Sequence, residues 1–165
     1  MSRERTSWCR PGVAGAVEHP SRSANLVFLL DANVVSELRR VRPHAAVLAW
    51  LRSVSDSDLH VSAVTIGEIQ AGIEIAREQD SVKALEIEAW LELITETYNV
   101  LPMDARSFRF WARLMHRRPR ALHEDAMIAA TAEAHELVVV TRNVRDFEQL
   151  GVRTLNPFSP VARRE

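Results

Sequence analysis

Lysine is almost missing from this sequence: twenty arginines and one lysine, Lys83, make up its 21 basic residues. That shortage counts against any phosphoryl-transfer site that needs a lysine at a strand end, because Lys83 sits in a charged, helix-patterned segment over 81–98. Cysteine is equally scarce. The only one, Cys9, lies in an irregular N-terminal stretch, so no internal disulfide can form, which fits a reducing cytoplasm. No apolar run approaches the ~18 to 20 residues of a membrane span, so no membrane partner is expected. The formal net charge of −1 gives no global basic field that would by itself announce nucleic acid. What remains is a chain of 165 residues, 47% hydrophobic, long enough for one domain with a substantial core.

Residues 1–25 carry scattered Arg, Pro, Gly and Ser without periodicity, and their apolar patch at 13–17 is too short for a signal-peptide core. They are expected to form a disordered extension outside the fold, such as an upstream start codon would add. The fold is expected over 26–158, followed by a short tail at 159–165. Five apolar residues, Leu26 to Leu30, read as a fully buried parallel strand that ends at Asp31, and a helix pattern follows over 34–40. Pro43 is placed to open a second helix to residue 53, with Val47, Leu48, Trp50 and Leu51 as its stripe. A strand at 59–61 leads to Ser62, a cap for a long helix over 64–79. A further helix runs to residue 98, with Leu85, Ile87, Leu91, Ile94 and Tyr98 on its packing side and Glu88, Glu92 and Glu96 on a solvated face. A third strand at 99–101 precedes Asp104, the expected cap of a helix carrying Phe108, Trp111 and Met115 as core or subunit contacts. A basic loop, Arg117-Arg118-Pro119-Arg120, a helix over 123–136, a fully apolar strand at 137–140, a short helix over 144–150 and a last strand at 152–155 complete the pattern. Strands alternating with helices at this rhythm predict a single α/β domain, a doubly wound parallel sheet with helices on both faces.

In such a sheet ligands bind at the carboxyl ends of the strands. Asp31 stands at one of those ends, either as an N-cap or as part of a site. Glu68, early in the third helix, could complete a capping box with Thr65, although Ser62 offers a competing earlier cap. Asp125 leads a helix that is apolar nearly all round and shares a face with Ile128, Ala129 and Ala132. A buried acid there needs a partner, a proton or a metal ion, unless the helix N-terminus satisfies it. Asn143 follows the 137–140 strand as Asp31 follows the first, as a helix cap or a site residue, and Asp146 reads as a helix acid. Three carboxylates and an amide, with no interleaved His or Cys, suit Mg²⁺ better than zinc. The chemistry they point to is metal-assisted phosphodiester hydrolysis by a metal-activated water.

The segments Leu29-Leu30-Asp31-Ala32-Asn33-Val34-Val35-Ser36-Glu37, Thr65-Ile66-Gly67-Glu68-Ile69, Asp125-Ala126-Met127-Ile128-Ala129-Ala130-Thr131-Ala132 and Thr141-Arg142-Asn143-Val144-Arg145-Asp146-Phe147 resemble the PIN-domain ribonucleases. The likeness is to the VapC-type toxins of type II toxin–antitoxin pairs, in the FitB-like branch, and runs from Leu26 to Phe158. The resemblance implies that Asp31, Glu68 and Asp125 are catalytic metal-binding acids, that Asn143 is the fourth metal ligand, and that Asn33 orients the first acid. Ala32, where the family usually has Thr, and Glu124, an extra charge beside Asp125, depart from the pattern. Also implied are dependence on Mg²⁺ or Mn²⁺, cleavage of single-stranded RNA to 5′-phosphate and 3′-hydroxyl ends, a homodimer, and a small VapB-type antitoxin partner in the cytoplasm.

Acids alone do not select RNA. Arg39, Arg117, Arg118, Arg120, Arg142 and Arg145, with Arg40 and Arg42, are the candidates for holding its phosphates. A haloacid-dehalogenase-type phosphatase also begins with a strand and an Asp, but it requires a second Asp where this chain has Asn33, and a later lysine. A receiver domain fails on the same lysine. The alternative outside enzymology is a catalytically weak module that acts mainly by binding its antitoxin.

Overall fold

A computed structural model describes residues 26–159; the expected extension at 1–25 and most of the expected tail lie outside the described residues. Five strands, β1 (Phe28–Leu30), β2 (Leu59–Ser62), β3 (Asn99–Leu101), β4 (Val138–Val140) and β5 (Thr154–Leu155), form one sheet in the order β3-β2-β1-β4-β5. Every pairing is parallel, with Phe28, Leu29 and Leu30 of the central strand opposite Leu59, His60 and Val61 on one side and Val138, Val139 and Val140 on the other. The reversal of strand order falls between β1 and β4, and it opens a crevice at their carboxyl ends.

Side chains of a strand alternate between faces, and the two halves of the core follow that rule. Phe28, Leu30, Leu59, Val61, Val138 and Val140 pack on one side with Val34, Val35, Val47 and Ile94. Leu29 and Val139 pack on the other with Ala126, Ile128, Ala129, Ala132 and Phe147. The first face is covered by α1 (Ala32–Val35), α2 (Ala45–Ser53), α3 (Ala63–Gln79) and α4 (Ser81–Thr97), the second by α5 (Ala105–Leu114), α6 (His123–His135) and α7 (Val144–Gln149). This is the doubly wound single domain expected from the alternation of elements.

Several boundaries differ from the sequence reading for local reasons. The first helix starts at Ala32, because Asp31 accepts a hydrogen bond from the Ala32 N–H, and after one turn it tightens into a 3-10 segment, Ser36–Arg39. Helix α2 begins at Ala45 rather than at Pro43; its preceding residue, His44, donates its backbone N–H to Glu37 Oε2 at 2.8 Å. On α4 the packing side holds Ile87, Leu91, Ile94 and Tyr98 as expected, and only Leu85 departs from it. Ala84 is fully buried against Ile73 and Leu91, whereas Leu85 is 58% exposed, because the helix packs along a narrow seam against α3 that admits a small residue. On the face expected to be solvated, Glu92 and Glu96 are exposed, while Glu88 is drawn into an ion pair with Arg77 at 3.0 Å. Helix α6 ends one residue early because Glu136 takes a left-handed conformation, φ 59°, that stops it. Gly151 performs the same turn after α7, with φ 76°, a region that glycine enters at little cost, and β5 is reduced to two residues.

Candidate metal-binding active site

Each acid owes its position to a different element of the switch-point crevice. Asp31 ends β1 and is buried. Its Oδ1 accepts from the Ala32 N–H at 2.8 Å, and its Oδ2 accepts from Asn33 Nδ2 and from the Thr141 hydroxyl, the latter at 2.7 Å. The alternatives of cap and site residue are therefore compatible in this side chain. An ionised carboxylate has about four acceptor positions; three are used here, which leaves one on Oδ1 without a protein donor. Burial raises the Asp31 pKa, while the bonds from Thr141, Ala32 and Asn33 act against that rise.

Thr141, which stands in the fourth PIN-like segment without an assigned role, joins the two halves of the crevice. Besides donating to Asp31, its fully buried hydroxyl accepts from Asn33 Nδ2 at 3.1 Å and from the Asn143 N–H at 2.9 Å. Asn33 Oδ1 in turn accepts from the Arg142 N–H at 3.0 Å. The loops after β1 and β4 are thus tied together around one carboxylate. A hydroxyl residue directly after a fully apolar strand was the available signal, but it acquires meaning only once β1 and β4 are known to be neighbours.

Ser62 caps α3 by accepting from the Val64 N–H at 3.2 Å, and the Thr65 hydroxyl is buried with no partner, so Glu68 belongs to no capping box. Glu68 is half-buried, and its Oε2 is buried without a hydrogen-bond partner. Burial, followed by the charges of Asp31, Glu124 and Asp125 and a hydrogen bond with Glu124, pushes its pKa up to about 8. Helix α6 has no side-chain cap, and Asp125 is raised to about 6 by burial and then by the charges of Asp31, Asp146 and Glu124. Asp31, Glu68 and Asp125 therefore interact electrostatically across one crevice, and Glu124 takes part. Asp146 does as well: it was read as an ordinary helix acid, yet it faces Asp125 and accepts from Asn143 Nδ2 at 2.7 Å. Asn143 makes no cap bond for α7, and the Asp146 contact leaves its amide oxygen free.

Among the described residues, no three His, Cys, Asp or Glu side chains are close enough to enclose a metal ion by themselves. Such a cage is what zinc would need. Mg²⁺ keeps several waters and takes only one or two carboxylates directly, and an all-oxygen donor set with a buried, unpartnered Glu68 oxygen fits that demand.

The candidate arginines divide into two groups. Arg118 donates to the Gln149 carbonyl, and Arg142 lies 4.0 Å from the Phe158 ring centroid and 3.5 Å from Glu37 Oε1. These two brace the fold. Arg39, Arg117, Arg120 and Arg145 are exposed, and among the described residues none of them is paired with a carboxylate. Glu37 is only 1% exposed, and it was quoted within the first motif without a role. It holds Arg40 at 3.1 Å as well as Arg142 and the His44 N–H.

Comparison with known proteins agrees with this arrangement. The PIN-domain family profile matches residues 28–152. A VapC ribonuclease, Y4jK, of Sinorhizobium fredii is 34% identical over 141 residues, 82% of this chain and 100% of that protein. Toxin FitB of Neisseria gonorrhoeae is 32% identical over 80% of this chain and 99% of its own length. The crystal structure of FitAcB from Neisseria gonorrhoeae superposes with a TM-score of 0.68 at 33% identity, covering 80% of this chain and 99% of that one. The chain belongs to the PIN-domain family, among its VapC- and FitB-type proteins.

Proposed function

We infer that the protein is a Mg²⁺- or Mn²⁺-dependent endoribonuclease toxin of a toxin–antitoxin pair, hydrolysing phosphodiester bonds of single-stranded RNA. The observation that supports it most is the buried, unpartnered Glu68 oxygen in the crevice that also holds Asp31 and Asp125, where burial and then the charges of Asp31, Glu124 and Asp125 raise the Glu68 pKa. Carboxylates arranged this way repel one another unless a cation or a proton intervenes. Asp31, Glu68 and Asp125 would share the ion, one or two of them directly and the rest through its bound waters, and Asn143, steadied by Asp146, would offer its amide oxygen. When bound, a divalent cation supplies Lewis acidity toward the phosphodiester and makes water a competent nucleophile near neutral pH.

The chain's own residues supply the rest. Thr141 and Asn33 fix the direction of the Asp31 carboxylate. In the metal-free protein burial and the charges of Asp31, Glu124 and Asp125 favour the protonated form of Glu68. Arg39, Arg117, Arg120 and Arg145 are exposed and available for the RNA backbone, and the products would carry the 5′-phosphate and 3′-hydroxyl ends that the family resemblance implies. The names of the relatives, one a ribonuclease and one a toxin, support the same activity here. We propose that it is exerted in the cytoplasm, by a homodimer, with a small VapB-type antitoxin as the partner.

The test is cleavage of single-stranded RNA by wild type and by Asp31→Asn, with Mg²⁺ and with chelator. Cleavage by wild type only, and only with Mg²⁺, is the expected result. Asparagine caps helices about as well as aspartate, so a variant that cleaves RNA like wild type would reduce Asp31 to a cap and favour the binding-module reading.

A further inference from the structure

A cavity of about 280 Å³ opens beside the acidic crevice, between the 3-10 segment after α1 and the α3–α4 pair. Ser36, Arg39 and Glu68 are its polar lining residues, and Ile69, Ile73, Ile87 and Trp90 line it as well. Glu68 belongs to both the cavity and the acid cluster, and Ala32, next to Asp31, lines it as well. Gly72 forms part of the floor, one turn of α3, about 5.4 Å, beyond Glu68. A Cβ built on Gly72 would meet no atom within 4 Å, so a larger side chain placed there can enter the cavity.

We propose that this cavity is a nucleobase subsite, which takes one unpaired base of the RNA strand beside the phosphate held at the acids. The inference rests on the ribonuclease reading above. Unpaired bases are recognised by aromatic faces and guanidinium planes, with polar groups meeting their edges. All three features are present. The Arg39 guanidinium carbon lies 5.8 Å from the Trp90 ring centroid, within the range of a cation–π contact. Arg39 is exposed and, among the described residues, paired with no carboxylate, so it is free to follow a phosphate while a base takes its place at the indole. A wholly apolar side chain from a protein partner would leave Ser36, Arg39 and Glu68 without partners, and unpaired buried polar groups are costly. A heterocycle with donors and acceptors along its edge satisfies them.

Gly72→Leu fills the cavity from the floor, and Gly67→Leu is the control. Gly67 is also interior to α3 and also has open space at its Cβ, but it does not line the cavity. Both variants replace a helical glycine with a better helix former, so neither should lower the melting temperature. The probes are short oligoadenylate and oligouridylate strands and an abasic strand of equal length and charge, bound with chelator present so that they stay intact. Wild type and Gly67→Leu should bind at least one base-bearing strand about tenfold more tightly than the abasic one, and Gly72→Leu should lose most of that ratio. An unchanged ratio in Gly72→Leu overturns the subsite, as does a wild type with no preference for bases. So does a Gly72→Leu protein that is impaired only in capturing a small helical antitoxin. If wild type fails to cleave any RNA, the ribonuclease reading falls, and the binding ratios still decide whether a base occupies the cavity.

Discussion

At the scale of single residues, the chemistry of the crevice depends on Asp31 being held in one orientation, and Thr141 does most of the holding. A hydrogen bond to a charged group contributes about 1.5–3 kcal/mol, and this one is fully buried at 2.7 Å. Thr141→Val keeps the shape and deletes the hydroxyl, leaving the Asp31 Oδ2, Asn33 Nδ2 and Asn143 N–H each one partner short. The expected outcome is a loss of about 1.5–3 kcal/mol in denaturant unfolding at neutral pH, with RNA cleavage impaired; Thr141→Ser, which retains the hydroxyl, should recover most of both. If Val and Ser behave alike, the hydroxyl is not what orients Asp31. The sequence already pointed to Asp31, Glu68, Asp125, Asn143 and Asn33, through their place in the PIN-like segments. Thr141 opens the fourth of those segments, yet its role could not be read there, because Asp31 and Asn33, which its hydroxyl binds, lie 110 and 108 positions away in the chain. For Asp146 the local reading as a helix acid was reasonable, and only the neighbouring α6 turns it toward the site.

At the scale of elements, the strands were legible wherever they are buried on both faces. Runs such as Phe28–Leu30 and Val138–Val140 are apolar without alternation because both sides of the sheet are covered. Helices that meet only one neighbour were less so. The seam of α4 against α3 accepts Ala84 and turns Leu85 outward, a choice that hydrophobic periodicity cannot make between adjacent apolar residues. The buried Glu37 was the other omission, since its role exists only between elements. It joins the segment before α2 to the loop after β4, and through Arg142 to the C-terminal Phe158. The Arg142 N–H that bonds Asn33 belongs to the same loop. Glu37→Gln keeps an acceptor for His44 but removes the charge that faces two arginines. Because both arginines are more than half exposed, the loss should fall near the lower end for charged bonds, about 1.5 kcal/mol. If Glu37 also positions the Asp31 loop, the variant needs more Mg²⁺ for half-maximal cleavage; an unchanged Mg²⁺ requirement beside a lowered melting temperature would restrict it to a brace.

At the scale of the whole molecule, a net charge of −1 conceals a strong local imbalance, because strand order gathers five carboxylates from distant segments at one edge of the sheet. The consequence for stability has a definite sign. Glu68 moves from an ordinary 4.5 to about 8, so between those values the folded chain keeps a proton that the unfolded chain has released. Stability then falls as pH rises through that window and levels off above it. Asp125, raised from 3.8 to about 6, contributes in the same direction at lower pH. Asp104 behaves oppositely: its bond from the Ser107 N–H holds it below 3.8, so its contribution is lost only in acid below that value and does not mask the effect. The metal-free protein is therefore expected to melt at progressively lower temperature from about pH 4.5 to about pH 8. Mg²⁺ binds the ionised, folded form and stabilises it by mass action, so saturating Mg²⁺ should flatten or reverse the decline. Asp31→Asn removes one of the facing charges; with chelator at pH 8 it should melt no lower than wild type, and it should gain much less from Mg²⁺. Melting curves of both proteins across this range, with Mg²⁺ and with chelator, read all three outcomes. A metal-free wild type whose melting temperature rises steadily to pH 8 would mean that neither burial nor the neighbouring charges hold Glu68 and Asp125 protonated, and the metal-site reading would fall with it.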